Sequence, residues 1–133
     1  MNCFDTDVMS AIVRAGGGPP ALARRLGVLN VSEQYTTSIT VGELLYGARK
    51  RGSARLESDI DRAIAEVRVH PFDEPAARVY AEISVQLESS GQRLEDADLQ
   101  IAAICLANDL TLVTGNTRQF ERVPGLCVEN WLT

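Results

Sequence analysis

The chain has 133 residues, 45% hydrophobic and 23% charged, with a formal net charge of −5, the composition of one soluble globular domain with a single core. No apolar run approaches the ~20 residues of a membrane span, and the acids Asp5 and Asp7 with no basic flank do not make a signal peptide. An acidic chain is, on its net charge alone, a poor candidate for binding nucleic acid.

In chain order, Asn2-Cys3-Phe4 reads as a short apolar strand that stops at Asp5-Thr6-Asp7. Side chains just beyond the C-terminal ends of strands line the ligand crevice of an open α/β sheet. The alternative is that Asp5 and Asp7 only cap and begin a helix. Val8 to Ala15 is expected to be that helix, ended by Gly16-Gly17-Gly18-Pro19-Pro20. The glycine run is no phosphate loop, because it lacks the Gly-Lys-Ser/Thr ending and its prolines remove backbone donors. Roughly Ala21 to Leu29 forms a second short helix with Leu22, Leu26 and Leu29 on one side.

Tyr35 to Thr40 is rich in β-formers and is expected as the second strand. Val41 to Arg51 follows as a helix with Glu43 in its first turn, and Ala54 to Glu66 carries Leu56, Ile60 and Ile64 at helical spacing. Val67-Arg68-Val69 is a short strand. Asp73-Glu74-Pro75 starts a helix that presents Val79, Ile83 and Leu87 every fourth residue and stops at Ser89-Ser90-Gly91. Asp96-Ala97-Asp98 opens the most apolar helix, Leu99 to Ala107, which is expected to be covered on most sides. Thr111 to Thr114 is a strand, and a last one lies near Cys127-Val128. Alternating strands and helices predict an α/β fold with a largely parallel sheet.

Cys3, Cys105 and Cys127 are odd in number and lack metal-type spacing, which points to reduced thiols in a cytoplasmic setting. His70 is the only histidine and precedes a proline, so zinc clusters and Ser-His-Asp triads have no support. Away from Asp5, Asp7, Glu43, Asp96 and Asp98 the charges balance, and every basic residue but Lys50 is arginine, the better bidentate phosphate partner.

Asp5, Glu43, Asp98 and Asn116 each follow a strand or open a helix, so in a parallel sheet they can meet on one edge. Carboxylates gathered there repel one another and raise their own pKa values unless a cation sits among them. An all-oxygen donor set favours Mg²⁺ or Mn²⁺ over zinc and suits phosphodiester hydrolysis.

Phe-Asp-Thr-Asp-Val at 4–8, Thr-Val-Gly-Glu-Leu-Leu-Tyr-Gly-Ala at 40–48, Asp-Ala-Asp-Leu-Gln-Ile-Ala-Ala at 96–103 and Leu-Val-Thr-Gly-Asn-Thr-Arg-Gln-Phe-Glu-Arg-Val-Pro-Gly-Leu at 112–126 resemble a PIN domain. The resemblance is to the VapC-like toxins of bacterial type II toxin–antitoxin systems, and it covers the whole chain, including Val-Glu-Asn-Trp at 128–131. It implies a three-layer α/β/α sandwich and a Mg²⁺- or Mn²⁺-dependent endoribonuclease that cuts structured RNA such as tRNA or rRNA. It also implies a homodimer restrained by a small cognate antitoxin that wraps the helices around the site. By that resemblance Asp5, Glu43 and Asp98 hold the metal. The family's fourth acidic position falls on Asn116, which keeps an oxygen but removes a charge and should weaken a second metal site. Thr6, Asp7, Asp96 and Thr114 are accessory positions, with Asp96 expected as a helix cap or outer-sphere group. Arg118 and Arg122 are candidates for phosphate contact.

Plainer roles stand beside these. Glu43 also suits a helix dipole, Gly115-Asn116 also suits a turn, and Arg49-Lys50-Arg51 complements a helix C-terminus. Tyr46 and Trp131 are expected to be packing residues. Asp5-Thr6-Asp7 also resembles the start of haloacid-dehalogenase-like phosphatases, but Lys50 is the only lysine and no Gly-Asp pair follows. A PIN-like module that binds antitoxin or RNA without cutting is a further alternative, which the charge lost at Asn116 leaves open.

Overall fold

The computed structural model describes residues 1–14 and 18–133. Ala15, Gly16 and Gly17, the end of the first expected helix and most of the glycine run, lie outside the described residues. Strand β1 (Asn2–Phe4) leads into α1 (Thr6–Val13), and α2 (Pro20–Gly27) is followed by a 3₁₀ turn at 31–33, β2 (Gln34–Thr37), α3 (Ser38–Arg51) and α4 (Ala54–Ala65). Then come β3 (Arg68–His70), α5 (Glu74–Ser89), α6 (Asp96–Ala107), β4 (Thr111–Val113), α7 (Thr117–Phe120) and β5 (Val128–Glu129). Among the described residues no helix is long and apolar enough to cross a membrane.

The strands form one five-stranded sheet in the order β3-β2-β1-β4-β5, every pair parallel. Successive strand residues face opposite sides, and the core divides accordingly. Cys3 and Leu112 pack with Ile83, Leu87, Leu99 and Phe120 from α5, α6 and α7. Phe4 and Val113 pack with Val8, Leu22, Leu44 and Ile60 from α1 to α4, and with Trp131. The result is the three-layer α/β/α sandwich. Helix α6 sits deepest: Leu99 and Ile101 through Cys105 are all buried, as its unbroken apolar run requires.

Helix starts follow local capping. Ser53 Oγ accepts the Leu56 N–H at 3.1 Å, and Asp73 Oδ1 accepts that of Ala76 at 3.2 Å with Pro75 in the first turn. Helix α3 stops at Gly52, whose φ of 65° disfavours a side chain.

Four differences from the sequence expectation bear on the site. The first helix starts at Thr6 rather than Val8, because Asp5 is its N-cap and accepts the Thr6 N–H at 2.7 Å. The second strand ends at Thr37, not Thr40. Thr37 Oγ1 accepts the Thr40 N–H at 3.1 Å and starts the helix there, so a local side-chain cap overrides the β preference of Ser38-Ile39-Thr40. Glu43 therefore lies in the second turn of α3, not the first. Asp96 is not a cap either: Glu95 holds that position and Asp96 is the first residue of α6. Residues 117–120 form a helical turn directly after Gly115-Asn116, where no helix was expected.

Trp131 is buried and meets Phe4 edge-on at 5.7 Å between ring centroids, as a packing residue should. Tyr46 is not one. It is 66% exposed, and among the described residues the Lys50 ammonium lies over its ring.

Candidate active site

From β1 the sheet grows one way through β2 and β3, then returns to add β4 and β5 on the other side. The order reverses between β1 and β4, and the crevice beyond the strand ends at such a reversal is where α/β sheets bind ligands. Phe4 is level with Val113, so the next residues, Asp5 and Thr114, stand side by side at the mouth of that crevice. The Asp5 N–H extends the ladder to the Val113 carbonyl at 2.9 Å.

Asp5 is buried and held at both oxygens. Oδ1 accepts the Thr6 N–H at 2.7 Å, and Oδ2 accepts the Thr114 hydroxyl, also at 2.7 Å. Burial pushes its carboxyl up to about 6, and the charges of Asp7 and Asp98 add to the rise against the two hydrogen bonds. Thr114 Oγ1 also accepts the Asn116 N–H at 3.0 Å, so one buried hydroxyl ties Asp5 to the turn after β4.

Glu43 reaches the same place from α3. Thr6 Oγ1 lies 2.6 Å from Glu43 Oε1, and the single hydroxyl proton goes to the carboxylate. The 3.2 Å contact between Thr6 and Thr40 oxygens is therefore donated by Thr40, and Thr37 donates to Thr40 at 3.3 Å. The hydroxyls of Thr37, Thr40 and Thr6 thus point in series at Glu43, each polarising the next. Thr37 and Thr40 were missed as site residues because Thr36-Thr37-x-x-Thr40 reads as strand composition. Only the change from strand to helix at Thr37 turns them toward Glu43.

Burial raises the Asp98 carboxyl above its ordinary value, with contributions from the charges of Glu43, Glu95 and Asp7. Asp5, Asp7, Glu43 and Asp98 therefore share one field, and none forms an ion pair among the described residues. Among the described residues no three Asp, Glu, His or Cys groups already enclose a metal-sized space. The donor chemistry nevertheless fits a hard cation, being all oxygen and without a positive partner. Asp5 is anchored, while Glu43 is exposed and Asp98 half-buried.

The remaining expected residues are placed unequally. Asp7 Oδ2 accepts the Gly115 N–H at 2.8 Å, across the crevice from its own helix. Asn116 contributes its backbone to Thr114, but its side-chain amide donates to Gln119 Oε1 at 2.7 Å. Asp96 accepts the Tyr80 hydroxyl of α5 at 3.2 Å, which draws it toward the α5 packing surface. Arg118 and Arg122 are exposed on and just after α7, with no ion pair among the described residues. A groove of about 520 Å³ runs between α1, α3 and α4. Thr6 and Glu43 line it with Val13, Leu44, Leu56 and Ile60, and Arg14, Arg51 and Arg55 also border it.

A sequence model of the PIN domain matches residues 3–126. The chain is 32% identical over 129 residues to the tRNA(fMet)-specific endonuclease VapC of Salmonella typhimurium, covering 96% of this chain and 97% of that protein. It is 34% identical over 128 residues to Toxin FitB of Neisseria gonorrhoeae, covering 90% and 91%. The fold superposes with a TM-score of 0.88 and 27% identity on a chain of the crystal structure of VapBC2 from Rickettsia felis bound to a promoter DNA fragment, covering 98% of each.

Proposed function

The chain belongs to the PIN domain family, in its VapC-like branch, and on that premise we propose that it is a metal-dependent endoribonuclease toxin restrained by a cognate antitoxin. The observation that carries this reading is the acidic edge at the β1/β4 reversal, where Asp5 and Glu43 each share a field with Asp98 and, among the described residues, none of the three forms an ion pair. Mg²⁺ or Mn²⁺ held by these residues would stabilise charge at the scissile phosphate and lower the pKa of the attacking water. The protein's own groups orient that site. Thr114 and the Thr6 N–H fix both Asp5 oxygens, and the threonine series steadies Glu43. Asn116 offers a neutral oxygen at the fourth position, which favours one strong metal site over two. Arg118 and Arg122 are free to meet RNA phosphates.

The Salmonella relative's name makes tRNA the first substrate to try, with rRNA the second; the site of action is the cytoplasm. The groove beside Glu43 has an apolar floor and arginines along it, which suits a partly acidic peptide, and we assign it to the antitoxin. The Rickettsia felis neighbour is a VapBC2 assembly on promoter DNA, which supports that partner. The exposed face of α3, around Gly42, Leu45 and Tyr46, is the surface we assign to a homodimer. Light scattering at micromolar concentration should give twice the 14.5 kDa chain mass; a monomer removes the dimer from the scheme.

Purified protein should cut structured RNA with Mg²⁺ or Mn²⁺ and stop in EDTA. Asp98→Asn should reduce cutting more than about 100-fold, beyond the usual cost of losing an outer-shell partner, with an unchanged circular dichroism spectrum. Cleavage persisting in EDTA, or in that variant, rules out this mechanism. An intact wild type that binds RNA or antitoxin and never cuts supports the binding-only alternative.

A further inference from the structure

Asp7 lies two residues beyond Asp5, and its carboxylate turns away from its own helix to the far side of the crevice. Oδ2 accepts the Gly115 N–H at 2.8 Å, between residues 108 positions apart. Gly115 sits between Thr114, whose hydroxyl holds Asp5, and Asn116, whose N–H returns to that hydroxyl. The glycine has a packing reason. A Cβ at position 115 would lie 2.6 Å from Asp7 Oδ2 and 2.9 Å from Leu132 Cδ1. Its φ is not in the left-handed region, so an alanine there would be opposed by the Asp7 carboxylate and the Leu132 tip, which would have to shift, and not by the backbone.

From this geometry we infer that Asp7 is a positioning residue. It latches the turn after β4 onto the first turn of α1, and so keeps the Thr114 hydroxyl on Asp5. The required property is the acceptor oxygen, not the negative charge. Asp7 would then tolerate Asn, whose Oδ1 accepts the same bond, and would not tolerate Ala. Gly115→Ala should mimic Asp7→Ala from the other side, by forcing the carboxylate off the amide. The catalytic consequence rests on the ribonuclease reading above, whereas the latch itself does not.

The test therefore has two independent parts. In the metal-free protein, hydrogen exchange read by NMR should find the Gly115 amide protected in wild type and Asp7→Asn. In Asp7→Ala and Gly115→Ala that amide should exchange at least about tenfold faster while core amides of α6 stay protected. Unchanged Gly115 exchange in Asp7→Ala refutes the latch whatever the protein's activity. In RNA cleavage below the melting temperature, Asp7→Ala and Gly115→Ala should lower kcat by about 10–100-fold, the range for residues that orient metal-binding side chains. KM should change little, and Asp7→Asn should stay within about threefold of wild type. If Asp7→Asn falls as far as Asp7→Ala, the charge is what matters and the positioning role is wrong. If no variant or wild type cleaves, the exchange data still decide the latch, and the ribonuclease reading alone has failed.

Discussion

Asp5→Asn should make the metal-free protein more stable at pH 7 while removing its activity. The Asp5 carboxyl is pushed up to about 6 when folded, against an ordinary 3.8, so between these values the folded state binds the proton more tightly than the unfolded chain. Stability from this group is thus fully present below about pH 4 and is lost as pH rises through about 6. The difference is on the order of 3 kcal/mol at neutral pH, a large share of a typical 5–15 kcal/mol margin. Asparagine is the neutral isostere, and Thr114 can reorient its one proton to suit either end of the amide.

Melting curves should therefore show the metal-free wild type losing stability between pH 4.5 and 7.5. Asp5→Asn should be flatter and about 5–10 °C higher at pH 7. A saturating divalent metal should raise the wild-type melting temperature at pH 7, where it relieves repulsion, and much less at pH 4.5, where a proton holds Asp5. It should leave Asp5→Asn unmoved at either pH. RNA cleavage by Asp5→Asn should fall more than about 100-fold. A wild-type melting temperature that is flat with pH, or a variant no more stable than wild type, would overturn this account of a strained acidic edge.

The second large effect lies outside the residues that the family sequence model matches, 3–126. Trp131 is 3% exposed, packs on Phe4, donates from its indole nitrogen to Glu129 at 2.9 Å, and carries the Arg25 guanidinium over its face at 5.3 Å. Trp131→Ala should cost about 3–5 kcal/mol, as large-to-small aromatic changes in cores do. Urea unfolding should show the loss as a lower midpoint with an unchanged slope. Trp131→Phe should recover more than half of it by refilling part of the cavity. A cost below about 1 kcal/mol would mean that the C-terminal segment is an accessory rather than part of the core. Because Leu132 adjoins Gly115, Trp131→Ala should also loosen the turn that holds Thr114.

Much of this was readable in the chain itself. Apolar runs interrupted at Asp5, Glu43, Asp98 and Asn116 identify the class of fold and the acids that a parallel sheet can gather, because strand ends in such a sheet share an edge. The capping at Asp73-Glu74-Pro75 and the uninterrupted apolar run of α6 are local properties, and they formed as written. What sequence could not decide depends on partners distant in the chain. Thr37 caps a helix instead of continuing a strand, and that moves Glu43 into the second turn and aims a series of hydroxyls at it. Asp96 was expected as a cap or outer-sphere group beside Asp98, yet its actual partner, the Tyr80 hydroxyl of α5, is one only packing supplies, while Asp98 stays in the field of Glu43. Asp7 reads as a spare acid of a helix start until the β1/β4 register brings Gly115 against it. Periodicity and composition report which face a residue takes and which element it joins; only packing determines which single donor ends up within 3 Å of a given oxygen, and the site is built from those pairings.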